Sequence, residues 1–403
     1  MIVGREELQR QEARALAPYA VCSAGSRGRR YPEPEDPYRT AFQRDRDRII
    51  HSSAYRRLGH KTQVLITLDG DQDLEIGNEE LLQLGGRLEP IRTRLTHTEE
   101  ATQIAVSIAR ALGANVDLTE AIARAHDLGH APFGHAGEEA LAAKMAAHGG
   151  FEHNLQTLRV VDELEEEYPD FRGLNLTAEV REGIMAHRGD GGAGIEDLPG
   201  AAAQPSVEAQ IADIADEIAY CCHDLQDGLA AGLLNSDDMA RRCLPWWSEA
   251  RAAIASRWGA LAPDLEQRRI KGYLINRFTS DLITSSAARL ARSGTRTPEA
   301  IRRLPERVID FSPPVRALRD SLHAYLSTHL YQHPEIVSRE DTAKRLLGEL
   351  FDAYNAHPAH LPAALRARVP AAPSVERIIC DHIASMTDRG AVREHHRLVG
   401  SRR

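Results

Sequence analysis

The sequence predicts an all-α protein, and three observations carry that expectation. Aromatic residues are only 5% of the 403, and β-branched alternation is confined to short pieces such as Thr62-Gln63-Val64-Leu65-Ile66. Elsewhere apolar residues recur at spacings of three and four, which gathers them on one helical face. Glycines, prolines and capping residues punctuate those periodic stretches where helices should start and stop.

The elements follow in order. Between Thr96 and Gly113 the set Ala101, Ile104, Ala105, Ile108 and Leu112 shares one face, and Gly113 stops the helix. Asp117-Leu-Thr-Glu120 reads as an N-cap with a capping-box-like glutamate, opening a helix through His126 that Gly129 and Pro132 end. A long helix follows Pro205-Ser206, with Ile211, Ile214, Ile218, Leu225 and Leu229 on one apolar stripe. From about Arg241 the chain is again helical, with Trp246, Trp247 and Trp258 as expected packing anchors. Three stretches read as loops or mobile connections: 23–36, the acidic 69–90 and the aperiodic 188–205. No period of solenoid type is present.

Composition narrows the function classes. A formal charge of −9 argues against a surface devoted to nucleic acid, although a local basic pocket is compatible with it. No run approaches the roughly 18 apolar residues of a membrane span, and the mean hydropathy is −0.40. The first residues carry charges where a signal peptide has its apolar stretch. The five cysteines form no CxxC pair, so reduced thiols, a cytoplasmic location and a metal site without thiolates are expected.

The chemistry concentrates in Arg92-Thr-Arg94-Leu-Thr-His97-Thr-Glu-Glu and in His126-Asp127-Leu-Gly-His130-Ala-Pro-Phe-Gly-His135-Ala-Gly-Glu138. Neighbouring helical positions diverge by about 100°, so His126 and Asp127 meet one ion only near a helix end. One imidazole nitrogen and one carboxylate oxygen suit Mn, Fe, Co, Ni or Zn better than an all-oxygen Mg or Ca cage. His97 is the natural third ligand, because the short 113–117 turn pairs its helix with that of His126. The fourth is expected from Asp213, Asp216, Tyr220, Asp224 and Asp227, which form one polar stripe opposite the isoleucines.

At these residues the chain resembles the HD-superfamily deoxynucleoside triphosphate triphosphohydrolases, in particular the bacterial deoxyguanosine triphosphate triphosphohydrolase-like group. The resemblance is carried by 55–64, 92–99, 126–138, Phe151-Glu-His-Asn154, 215–225 and 381–389, and spans about 37–397. It implies an HD-domain helical core at 37–235, preceded by an N-terminal helix and flexible linker at 1–36. Additional C-terminal helices at 236–403 would pack on that core. By position it implies that His97, His126, Asp127 and Asp216 bind the metal, with Asp216 favoured over Asp213. His135 and Glu138 would be the catalytic pair and His130 would lie near the phosphates with His153. Arg57, Gln63 and Arg94 would touch substrate, and Tyr220 and Asp224 the deoxyribose.

The activity so implied is metal-dependent hydrolysis of a dGTP-like dNTP to deoxynucleoside and inorganic triphosphate, with Mg among the candidate ions. A homo-oligomer is expected, with room for a dNTP effector and weak single-strand nucleic-acid binding. The 64–92 segment is longer and more acidic than in the family's shorter members, which suggests a lid, oligomer contact or effector element. The alternatives are an HD phosphohydrolase acting on another nucleotide, or a non-hydrolytic nucleotide sensor or single-strand nucleic-acid binder. The intact His135/Glu138 pair weighs against the second.

Overall fold

A computed structural model of the chain describes residues 2–64, 66, 92–186 and 203–400. The expected loop at 69–90, and 188–202 of the loop at 188–205, lie outside the described residues. Among the described residues there are helices and no strands; Thr62 makes only an isolated antiparallel bridge with Thr93. The protein is all-α.

Contacts divide the chain into two compact units, each assembled from separate segments. The first comprises Met1–Ser52, His97–His126 and Val161–Leu330; the second comprises Ser53–Thr96, Asp127–Val160 and Tyr331–Arg403. The helix Arg94–Leu112 begins in the second and continues in the first, and the His126–Asp127 peptide bond leads back.

In the first unit the helix Val207–Ala230 is the centre. It packs on the helices Val116–Ala125, Ala178–Ala186, Pro263–Ser293 and Pro313–His329. Ser206 caps it, its side chain accepting from the Ala209 amide, and Ile211, Ile214, Ile218 and Leu225 are buried as their spacing predicts. Gly113 does end the preceding helix, in the left-handed region with φ 66°. The helix carrying His126 starts earlier than expected. Asn115, not Asp117, is its N-cap: Asn115 accepts from the Leu118 amide at 3.1 Å, while its own amide donates to Glu208 and its side chain to the Val21 carbonyl. Those tertiary bonds select Asn115 over an equally competent aspartate. Asp117 instead pairs with Arg46.

The 23–36 stretch is irregular as expected, yet fastened. Arg27 pairs with Glu179 and Glu182, and Arg29 pairs with the fully buried Asp45. Trp246 and Trp247 are buried anchors, but Trp258 is 46% exposed. It ends its helix, and the guanidinium groups of Arg257 and Arg269 cover its ring instead of a core.

In the second unit the helix Pro334–Ala356 packs on Gly134–Met145, Val375–Ala384 and Asp388–Leu398. Its core includes Phe133, Leu141, Met145, Leu347, Phe351, Tyr354 and Ile379. The helix Gly134–Met145 thereby rests on a wide apolar base, which fixes the direction of His135 and Glu138 at its start.

Candidate functional site

Three groups converge in the first unit. His97 Nε2 lies 2.7 Å from Asp216 Oδ1, and His126 Nε2 lies 3.4 Å from the same oxygen. The helices Arg94–Leu112, Val116–Ala125 and Val207–Ala230 bring them together, His126 standing at the C-cap of the second. Both histidines are buried.

The hydrogen bonds behind the rings set their tautomers. His126 Nδ1 is 2.6 Å from the Ala123 carbonyl, which can only accept, so Nδ1 carries the proton and Nε2 presents a lone pair. A longer chain governs His97. Glu100 lies 2.8 Å from His223 Nε2, and His223 Nδ1 lies 3.3 Å from His97 Nδ1. If Nε2 of His223 donates to the carboxylate, its Nδ1 accepts from His97, whose Nε2 then also faces Asp216 with a lone pair. Burial raises the Asp216 pKa; with their Nε2 atoms protonated instead, His126 and His97 outweigh it and hold the carboxyl well below the usual range. With the neutral tautomers above, that stabilisation is absent. Two imidazole lone pairs and a carboxylate pointed at one another repel unless a cation lies among them. The donor set therefore fits a divalent ion bound by two nitrogens and one oxygen, with ligand atoms all within 4.8 Å. His223 was missed as a site residue from sequence, although it lies seven residues after Asp216 on the same helical face.

The rest of the stripe has other duties. Asp213 pairs with Arg307, and the adjacent Glu217 with Arg319. Tyr220 and Asp224 follow Asp216 by one and two turns. Burial first, then Cys221, Asp216 and Asp224, push the Tyr220 phenol far above its ordinary pKa, so it stays a neutral hydroxyl. Asp224 is buried.

The second unit holds a separate imidazole cluster. His130 and His153 stack at 4.1 Å between centroids, 17° from parallel, and His135 meets His130 edge-on at 5.7 Å. Glu138 serves two of these rings. It accepts from the His153 amide at 2.9 Å and approaches His153 Nδ1 at 3.0 Å and His135 Nδ1 at 3.4 Å. The i,i+3 pairing of His135 with Glu138 is present, but His153 is the nearer partner. Burial raises the Glu138 pKa, while the hydrogen bonds from His135 and His153 take it far below the usual carboxylate range. Burial, then Arg94 and His153, hold His130 neutral well below its ordinary value. His135 is 74% exposed at its side chain, in free exchange with water.

Arg94 and Gln63 flank this cluster. Arg94 Nη1 donates to Asp127 Oδ2 at 3.1 Å, and Asp127 Oδ1 lies 3.1 Å from His130 Nε2. A side chain on Gly134 (φ 58°) would meet Arg94 Nη2 at 2.9 Å and the Gln63 carbonyl at 3.6 Å, so glycine lets both approach the His135 helix. Three buried polar atoms here make no hydrogen bond among the described residues: Arg94 Nε, Gln63 Oε1 and His130 Nδ1. Buried polar groups are normally satisfied, so each of these atoms is a candidate to meet a polar ligand. Arg57 ends the Ser53–Arg57 helix, where its charge acts on Lys61.

Comparison with known proteins places two family matches on the chain. Residues 94–221 match the HD domain and residues 309–397 the phosphohydrolase-associated domain. The chain is 44% identical over 394 residues to a deoxyguanosinetriphosphate triphosphohydrolase-like protein of Azoarcus sp., covering 96% of this chain and 97% of the relative. It is 43% identical over 392 residues to one of Geobacter metallireducens, covering 96% of each. One of Deinococcus deserti is 43% identical over 393 residues, covering 97% of this chain and 96% of the relative. Among the described residues no helix is long and apolar enough to cross a membrane.

Proposed function

Because the chain belongs to the deoxyguanosinetriphosphate triphosphohydrolase-like family of HD-domain phosphohydrolases, we propose that it hydrolyses a deoxynucleoside triphosphate to the deoxynucleoside and inorganic triphosphate. The observation that carries the reading is the Glu138-bound imidazole cluster, beside a buried arginine whose Nε makes no hydrogen bond among the described residues. That combination moves protons next to an anion, as phosphoryl hydrolysis requires.

His97, His126 and Asp216 are proposed to hold the divalent ion. Asp127, the fourth ligand that the resemblance implies, is not in that group here, and its carboxylate meets Arg94 and His130 instead. A bound ion of this kind polarises a phosphoryl oxygen. Mn, Fe, Co, Ni or Zn suits the donors best, and Mg remains in the set the resemblance implies. Arg94 and Arg57 neutralise the phosphates, Arg94 with a planar guanidinium already braced by Asp127. Glu138 remains a carboxylate and orients the His135 and His153 rings through their Nδ1 atoms. His130, held neutral, offers Nδ1 as a hydrogen-bonding atom.

In the proposed reaction water forms a bond to the α-phosphorus, and the bond from that phosphorus to the sugar O5′ breaks. A proton passes through His135 to the departing oxygen. Tyr220 and Asp224 are proposed to face the deoxyribose, and Gln63 the substrate. On the family resemblance the proposal extends to a guanine-containing dNTP, a dNTP effector, a homo-oligomer and a cytoplasmic location.

The test is to incubate Mn-loaded protein with each dNTP, singly and mixed, and to resolve the products by ion exchange beside an Asp127→Ala control. Deoxynucleoside with intact triphosphate, absent from the control, supports the proposal. Pyrophosphate or a monophosphate as product moves the chain to another phosphohydrolase branch.

A further inference from the structure

The 381–389 motif is part of the family resemblance, yet none of its residues enters the reaction proposed above. Its contacts give it a role. Asp388 is buried and its carboxylate receives three donors: Phe133 N at 2.9 Å on Oδ1, with Thr62 N at 2.8 Å and Thr62 Oγ1 at 2.6 Å on Oδ2. Phe133 lies between His130 and His135 and is the N-cap of the helix that carries His135 and Glu138. It has a left-handed backbone, φ 62°, which a bulky residue adopts only when its surroundings impose it. Its own side chain makes no capping bond, so Asp388 supplies the restraint from outside.

Two more acceptors lie just before it. The Ala384 carbonyl receives Lys61 Nζ at 2.8 Å, and the same Nζ donates to the His130 carbonyl. Asp381 receives Arg159 Nη2 at 2.6 Å, Arg159 Nε at 3.2 Å and Gln156 Nε2 at 3.1 Å, all from the helix that begins at His153. The loop bearing His130, which leads into the helix of His135, and the helix bearing His153 are thus tied to one short stretch of chain. The His130–His153 stack at 4.1 Å depends on both segments being held in register.

We propose that Asp388 and Asp381 are positioning residues for the imidazole cluster, Asp388 acting through Phe133 and Asp381 through Gln156 and Arg159. The inference rests on the reading of His130, His135 and His153 as the proton-handling groups of a phosphohydrolase. A carboxylate at 388 is required because both of its oxygens accept; an amide would turn a donor toward either Phe133 N or Thr62 N.

The test uses the full-length, metal-loaded chain with Asp388→Asn and Asp381→Asn. Histidine imidazole NMR signals and steady-state kinetics on the dNTPs are both recorded. Asp388→Asn should shift the His130 and His135 signals, Asp381→Asn the His153 signal, with His97 and His126 unmoved. Each variant should lose at least about tenfold in kcat with KM within about threefold, since loosened support misplaces reacting groups more than it weakens binding. If Asp388→Asn does not fold, Thr62→Val removes a single donor to the same carboxylate and should lower kcat by about threefold. Unchanged imidazole signals in folded variants, or unchanged kcat in Thr62→Val, overturn the proposal. Should the wild type turn over no dNTP while the signals still move, the positioning stands and the substrate reading falls.

Discussion

Gly129 offers the sharpest local perturbation. A Cβ there would lie 2.1 Å from Thr157 N, 2.3 Å from the His153 carbonyl oxygen and 2.6 Å from the Gln156 carbonyl carbon. Ordinary contact begins at 3.4 Å, so Gly129→Ala forces the His130 segment and the His153–Arg159 helix apart by about 1.3 Å, the difference of 3.4 and 2.1. The obstacle is backbone, which cannot swing aside as a side-chain tip can. Overpacking of this kind costs about 1–3 kcal/mol, and the rigid wall puts Gly129→Ala near the upper end. The same displacement opens the His130–His153 stack and strains the bond from Gly129 N to Thr157 Oγ1, now 2.9 Å. Misplacement of reacting groups by about an ångström costs on the order of a hundredfold in rate. Urea unfolding and kcat on the same preparation measure both effects. A variant with the wild-type midpoint and kcat within about twofold would refute the close-approach argument.

Three further outcomes are expected. His135→Ala should lower kcat by about 10²- to 10⁴-fold with bound metal unchanged by elemental analysis; full turnover would remove His135 from proton transfer. Tyr220→Ala should narrow the preference for dNTP over NTP by about tenfold or more, measured as a kcat/KM ratio, whereas an unchanged ratio would exclude it from sugar selection. Burial, with Arg57 and Arg94 opposed by Asp388 and Asp127, lowers the Lys61 pKa from 10.5 to about 7. Between those values the unfolded chain binds the extra proton, so this group makes stability rise with pH across that window and contributes no slope below it. Lys61→Met should therefore flatten the change in urea midpoint between pH 7 and about pH 9.5; an equal or steeper change would contradict the shift.

Much of the fold was legible because its signals are local. The spacing of Ala101, Ile104, Ile108 and Leu112, the stop at Gly113 and the cap at Ser206 are each contained within a few turns. The same locality made His126-Asp127 and the Asp216 stripe visible, since one helix face needs no tertiary knowledge. What was missed is decided at long range. Asn115 prevails over Asp117 as a cap because Glu208 and Val21 reach it, and Trp258 stays outside because its helix ends there. Spacing alone left the stripe uniform and only the family resemblance favoured Asp216; in the fold Arg307 pairs with Asp213 and Asp216 faces the histidines. Neither the Glu100–His223–His97 chain nor the support from Asp381 and Asp388 has a local signature. Phe133 and Asp388 are 255 positions apart, and nothing in either neighbourhood announces the other.

The central claim is water attack at the α-phosphorus of a dNTP with release of intact triphosphate. Its most direct test is turnover of the metal-loaded protein in heavy-oxygen water, with the products followed by phosphorus NMR and mass spectrometry. One heavy oxygen on a terminal phosphorus of inorganic triphosphate and none in the deoxynucleoside are expected. Label in the deoxynucleoside, or in pyrophosphate or orthophosphate as the primary product, would contradict it.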